Sequence, residues 1–142
     1  MADRLKLRAI DEEDLAVISA ILQDALVAVG DMDFLAEESR FVLVANRFCW
    51  EAKPIDNAHY ERTLAGLAFS EVSAVSLRGF DRRDPDRLLQ ILALHRDGEA
   101  IILDFSSGAS LRLEAAQILC RMEDFGEAWP TPWRPRHPLD GG

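Results

Sequence analysis

The sequence predicts an α+β domain: a largely antiparallel curved sheet or partial barrel of about seven strands, with one N-terminal and one C-terminal helix and an extended Pro/Trp-rich tail. Three observations carry this reading. Apolar or alternating runs follow one another with only short polar turns between them, and short connections make antiparallel pairs. Two stretches, one near each end, instead space their apolar residues by three and four, the helical period. Four of the six prolines and two of the three tryptophans lie between Trp129 and Pro138.

Taken in order, Leu5-Lys6-Leu7-Arg8-Ala9 alternates apolar and basic residues as a half-buried strand does. A helix starts at Asp11, which can cap it, while Glu12, Glu13 and Asp14 complement the positive end of the helix dipole. Leu15, Ile18, Leu22 and Ala25 form its apolar stripe, widened by Val17 and Ile21. Leu26 to Val29 reads as strand, and Ala36 to Ser39 as a polar break. Arg40 to Glu51 is the strongest strand, apolar on both faces at first and so expected at the centre of the sheet. A loop from Ala52 to Arg62 holds Pro54, Asp56, Asn57 and His59.

Strands return at Leu64–Phe69 and Val72–Leu77, with Glu71 marking a bend. Asp81 to Asp86 is a charged turn. Two apolar runs, Leu88–His95 and Glu99–Phe105, flank Arg96-Asp97-Gly98, and Asp-Gly between such runs signals a hairpin. After a turn at Ser106-Ser107-Gly108, Leu111 and Leu113 alternate with Arg112 and Glu114. Ala116, Leu119, Met122 and Phe125 then predict a second helix, with Gly126 where a left-handed C-cap belongs. Proline fixes φ and removes a donor, so the tail can be neither helix nor interior strand. The expected organisation is one domain over 1–126 and an extended tail over 127–142, packed back onto it through Trp129 and Trp133. The order of many strands before a last helix is similar to that of a pleckstrin-homology-type roll.

Several segments are distinctive: Gln23-Asp24-Ala25 with Val29-Gly30-Asp31-Met32, the run Asn46-Arg47-Phe48-Cys49-Trp50-Glu51, and Trp129-Pro130-Thr131-Pro132-Trp133-Arg134-Pro135. On these the chain resembles a small bacterial family, chiefly alphaproteobacterial, catalogued only as a domain of unknown function. The resemblance spans nearly the whole chain and implies no activity, cofactor or catalytic residue.

The bulk chemistry excludes more than it assigns. A formal net charge of −9 over 142 residues argues against nucleic acid, whose phosphates need clustered Lys and Arg. The charge is uneven: Arg4, Lys6 and Arg8 form one basic stripe, Arg134 and Arg136 another, and Asp11 to Asp14 an acidic block. No apolar run reaches the roughly 20 residues of a membrane span. Two cysteines in apolar contexts, Cys49 and Cys120, without a secretory leader, suggest reduced thiols in a cytoplasmic protein.

Candidate sites are few. His59-Tyr60-Glu61 has the H-x-E spacing of zinc deaminases but lacks their P-C-x-x-C, so a surface loop histidine is the expected reading. Asp56, His59 and Glu61 could meet as an acid–base cluster. Asp31 and Asp33 fall short of a calcium loop. Cys49, between Phe48 and Trp50, reads as core. The arginines of Asp81–Arg87 alternate with carboxylates, as on an exposed turn. Arg47, in so apolar a strand, must either pair with a carboxylate, the favoured reading, or hold an anionic ligand. Pro132-x-x-Pro135 and its neighbouring arginines could dock in an aromatic groove.

The candidate ligand or partner residues are therefore Arg47, His59, Trp129, Trp133 and Arg134, with no catalytic residue, metal site or cofactor assigned. The leading expectation is a non-catalytic cytoplasmic binding or adaptor domain. One alternative is a small enzyme or a sensor of an anionic metabolite using Arg47 and the His59 loop. Another is an obligate homodimer with tail-mediated contacts.

Overall fold

A computed structural model describes residues 4–49 and 60–131, and of residues 60, 61 and 126–131 the backbone alone. The described elements are β1 (Lys6–Ala9), α1 (Glu12–Leu22), β2 (Leu26–Ala28), β3 (Met32–Leu35), β4 (Arg40–Phe48), β5 (Tyr60–Phe69), β6 (Ala74–Arg78), β7 (Leu88–Asp97), β8 (Ala100–Phe105), β9 (Ser110–Glu114) and β10 (Cys120–Thr131). The strands form one antiparallel sheet in the order β1-β10-β5-β4-β2-β7-β8-β9-β6, with β3 also paired to β4. It does not close into a barrel, because β1 and β6 are its two ends.

Helix α1 begins as its sequence dictates. The Asp11 carboxylate accepts from the Asp14 amide at 2.8 Å, and three acidic residues fill the first turn. Leu15, Ile18 and Leu22 are buried, and the helix packs on β7, β1 and β4. Val17 does not widen the stripe; it is exposed. The chain leaves the helix through Asp24 in a left-handed conformation (φ 66°). The Asp24 amide donates to the Ile91 carbonyl at 2.8 Å, and its carboxylate accepts from Gln90 at 2.7 Å. Those bonds seat β2 between β4 and β7. Apolar residues from α1 and from both halves of the sheet meet in one core cluster.

Several turns form where their residues require. At the bend before β6 Glu71 takes φ 57°, a left-handed conformation that a non-glycine residue adopts only rarely. The β7–β8 hairpin turns on Gly98 at φ 60°, with Asp97 paired to Ala100, so Gly98 and Glu99 are the loop. A glycine with positive φ at the first of two loop positions suits a type II′ turn. Gly30 is needed for space: a Cβ there would lie 2.9 Å from Pro85 Cβ, and its amide donates to the Pro85 carbonyl.

The expected C-terminal helix is a strand. From Cys120 to Phe125 the side chains alternate, with Cys120, Met122 and Asp124 buried and Arg121, Glu123 and Phe125 exposed. Strands β1 and β5 flank this stretch and take its backbone hydrogen bonds. Asp124 is polar but points inward, and that broke the alternation in the sequence. Gly126 caps nothing; it lies where the pairing of β10 with β5 shifts register between Phe125 and Trp129. The strand order of a pleckstrin-homology roll, which ends in a helix, is therefore not the order of the described residues.

Strand β10 also crosses the expected boundary at residue 126. Backbone positions Trp129, Pro130 and Thr131 pair with Arg62, Glu61 and Tyr60. Strand β1 reaches only as far as Glu123 in its register with β10. Among the described residues no strand pairs with Pro130 on the side away from β5, an edge position of the kind proline occupies. Strand β5 begins at Tyr60, inside the expected loop.

Candidate functional site: an arginine-rimmed groove on the outer sheet face

Period-two alternation divides β10, β5 and β4 into an inner face toward the core and an outer face away from it. On the inner face Arg47 of β4 and Asp124 of β10 reach toward each other across β5. Arg47 Nε donates to Asp124 Oδ1 at 2.8 Å and Nη2 to Oδ2 at 2.6 Å, while Nη1 donates to the Phe48 carbonyl at 2.9 Å. Asp124 Oδ2 also accepts from the Leu5 amide at 2.8 Å, and the Asp124 amide donates to the Leu5 carbonyl. The two side chains are 0% and 1% exposed. Every guanidinium nitrogen is engaged within the protein, so this arginine serves the sheet.

A second arginine organises one end of the outer face. Arg62 Nη1 donates to the Asn46 carbonyl and to its side-chain oxygen at 3.0 and 2.7 Å. Its guanidinium lies 3.7 Å from the centre of the Phe48 ring, a cation–π geometry.

The rest of the outer face opens into a groove of about 750 Å³. Cross-strand register builds it in rows. Arg8 faces Arg121, Arg121 faces Ala68, and Ala68 faces Val42. In the next row Lys6 faces Glu123, Glu123 faces Gly66, and Gly66 faces Val44. Phe125, 37% exposed, borders Gly66 on the far side, and Arg40 and Ser70 line the end beyond Ala68.

Two features of the groove are costly to the fold itself. Like charges directly opposite on adjacent strands are destabilising, and Arg8 and Arg121 stand so. Neither they nor Arg40 engages a carboxylate among the described residues. The carboxylate among the lining residues, Glu123, has Lys6 at 3.9 Å. Gly66 sits inside a strand, where glycine costs roughly 0.5–1 kcal/mol relative to alanine. A Cβ there would make only ordinary contacts, 3.8 Å to Phe125 and 4.0 Å to the Glu123 carbonyl. Packing thus leaves room for a side chain that the sequence does not supply.

Of the residues singled out from sequence, Arg47 is buried with Asp124, and Trp129 is described only as backbone paired to Arg62. His59, Trp133 and Arg134 lie outside the described residues, as do Asp56 and Trp50. Asp33 pairs with Arg82 at 3.4 Å. In the charged turn Asp81 accepts from Arg83 at 2.7 Å, and Arg87 donates to the Gly79 carbonyl. Hydrogen bonding from the Arg83 side chain lowers the Asp81 carboxyl to about 2. Cys49 and Cys120 are both buried. Among the described residues no group of His, Cys, Asp and Glu converges as a metal site, and no helix is long and apolar enough to cross a membrane.

The sequence reading missed the groove. Arg8 was visible in the basic stripe, but assigning 116–125 to a helix hid that Arg121, Glu123 and Phe125 share a face with it. Alternation of Arg121 and Glu123 with Cys120 and Met122 was the available signal.

A family model described as "Protein of unknown function (DUF2948)" matches residues 5–137. The chain belongs to this family. The matched span covers every strand of the DUF2948 fold described above and the groove with it. No curated protein and no solved structure matches the chain significantly.

Proposed function

We propose that this DUF2948 domain is a non-catalytic binding domain that takes its ligand or partner on the outer face of β1, β10, β5 and β4. The single observation that carries the reading is the groove floored by Gly66 and Ala68, held open at a cost to the sheet and rimmed by Arg8, Arg40 and Arg121. A glycine inside a strand often marks close approach by a ligand, and a concavity of this volume suits a small molecule. Arg47, the arginine of the enzyme alternative, is engaged by Asp124 instead. Two buried cysteines in apolar surroundings accord with a cytoplasmic setting.

The test compares the full chain with Gly66→Leu, which fills the groove floor without demanding an unusual backbone. Both are exposed to native extract, and retained metabolites and proteins are identified by mass spectrometry. The reading expects a species held by the parent and lost from Gly66→Leu while the thermal midpoint persists. Identical retained sets would overturn it.

A further inference from the structure

We infer that the groove's ligand is a free anionic amphiphile: an oxyanion head, carboxylate or phosphate, on an unbranched apolar body. This rests on the binding reading above and names its ligand class.

The head is assigned by charge. Arg8 and Arg121 are direct cross-strand partners, so their guanidinium groups rise from neighbouring strands about 4.8 Å apart. An oxyanion between them converts a like-charge repulsion into two charge-assisted hydrogen bonds, the geometry in which arginine serves best. Arg40 adds a third positive charge at that end, and Lys6 offsets Glu123. This cluster lies on a chain whose net charge is −9.

The body is assigned by the floor. From Arg121 to Phe125 the groove runs four residues along β10, about 13 Å at ~3.3 Å per residue. Along that path it is lined by Ala68, Val42, Gly66, Val44 and the Phe125 ring. The carboxylate beside this path, Glu123, has Lys6 at 3.9 Å, and the floor between the strands offers apolar contact. The backbone of β5 is paired on both sides, to β10 and to β4, so an extended peptide finds no ladder to join. A bilayer is disfavoured by charge: a net −9 chain is repelled by an anionic leaflet. What remains is one slender molecule lying along the sheet with its head at the arginines.

The test is a titration of the isotopically labelled full chain, followed by amide NMR, with four probes below their aggregation concentrations. These are decanoate, decyl phosphate, decanol and decyltrimethylammonium. The inference expects saturable shifts in β10, β5 and β4 for the two anions. It expects decanol to bind at least tenfold more weakly and the cation not to bind. Arg121→Glu should weaken decanoate tenfold or more while its thermal midpoint holds or rises, since it replaces a repulsive pair with an attractive one. Decanol binding as tightly as decanoate would overturn the anionic class and leave the binding-domain reading intact. Silence from all four probes would overturn the inference. In that case a species lost from Gly66→Leu in the extract experiment keeps the groove reading, and no such species removes it as well. Sedimentation with phosphatidylglycerol vesicles without binding of free decanoate would overturn it in favour of a membrane surface.

Discussion

Arg47 and Asp124, 77 positions apart in sequence, are joined by two hydrogen bonds on the inner face of the sheet, with β5 running between their strands. Asp124 in turn holds the Leu5 amide. One carboxylate thus ties β4, β10 and the start of β1 together where an apolar residue would serve only one strand.

Removing either partner should therefore be severe. Asp124→Leu or Arg47→Met leaves a buried charge without its counter-ion, a loss of about 3–5 kcal/mol. The double variant Arg47→Met/Asp124→Leu should recover much of that loss, since two apolar side chains of similar volume leave no charge stranded. Urea denaturation of the four species in a double-mutant cycle measures the coupling, and strict additivity would deny it.

Gly66→Ala should separate stability from binding. The added methyl meets Phe125 at an ordinary distance, and losing a strand glycine should stabilise by roughly 0.5–1 kcal/mol. The same methyl intrudes on the groove floor, so a higher midpoint with weaker ligand retention is expected. By contrast Gly30→Ala should destabilise, because its Cβ would lie 2.9 Å from Pro85 Cβ.

The Asp81 carboxyl should titrate at about 2 in the folded protein, chiefly because the Arg83 side chain donates to it. A lowered carboxyl stabilises the fold fully above the ordinary 3.8 and loses that contribution as pH falls through about 2. Side-chain carbonyl NMR reads the midpoint directly. Arg83→Ala should move it up toward 3.8, and an unchanged midpoint would remove Arg83 as the cause.

Burial pushes the Cys120 thiol up to about 12. It stays protonated and unreactive at pH 8, where only the thiolate attacks. Iodoacetamide should leave Cys120 unlabelled in the native chain and label it in denaturant, with peptide mass spectrometry assigning the site.

Much of the sheet was legible locally. Leu111 and Leu113 against Arg112 and Glu114, or Asp97-Gly98 between two apolar runs, declare themselves through a two-residue period and a turn that needs positive φ. Cys120 to Phe125 did not, because its inward set includes an aspartate. Reading Asp124 as polar and outward leaves Met122 and Phe125 three apart, a helical spacing, and a helix follows. The candidate site inherited that error: Arg8 and Arg121 are 113 positions apart, and only their register brings them face to face.

The sequence by itself determined the capped helix at Asp11, most of the strands and their turns, the acidity of the chain and its family, since each is written in neighbouring residues or in composition. Tertiary structure decided that residues 120–131 are a strand, that Arg47 is neutralised inside the protein, and that Arg8, Arg40 and Arg121 converge on an apolar floor. These depend on partners distant in the chain. A buried charge is tolerable only when its counter-ion is present, and whether it is present is a property of the assembled sheet.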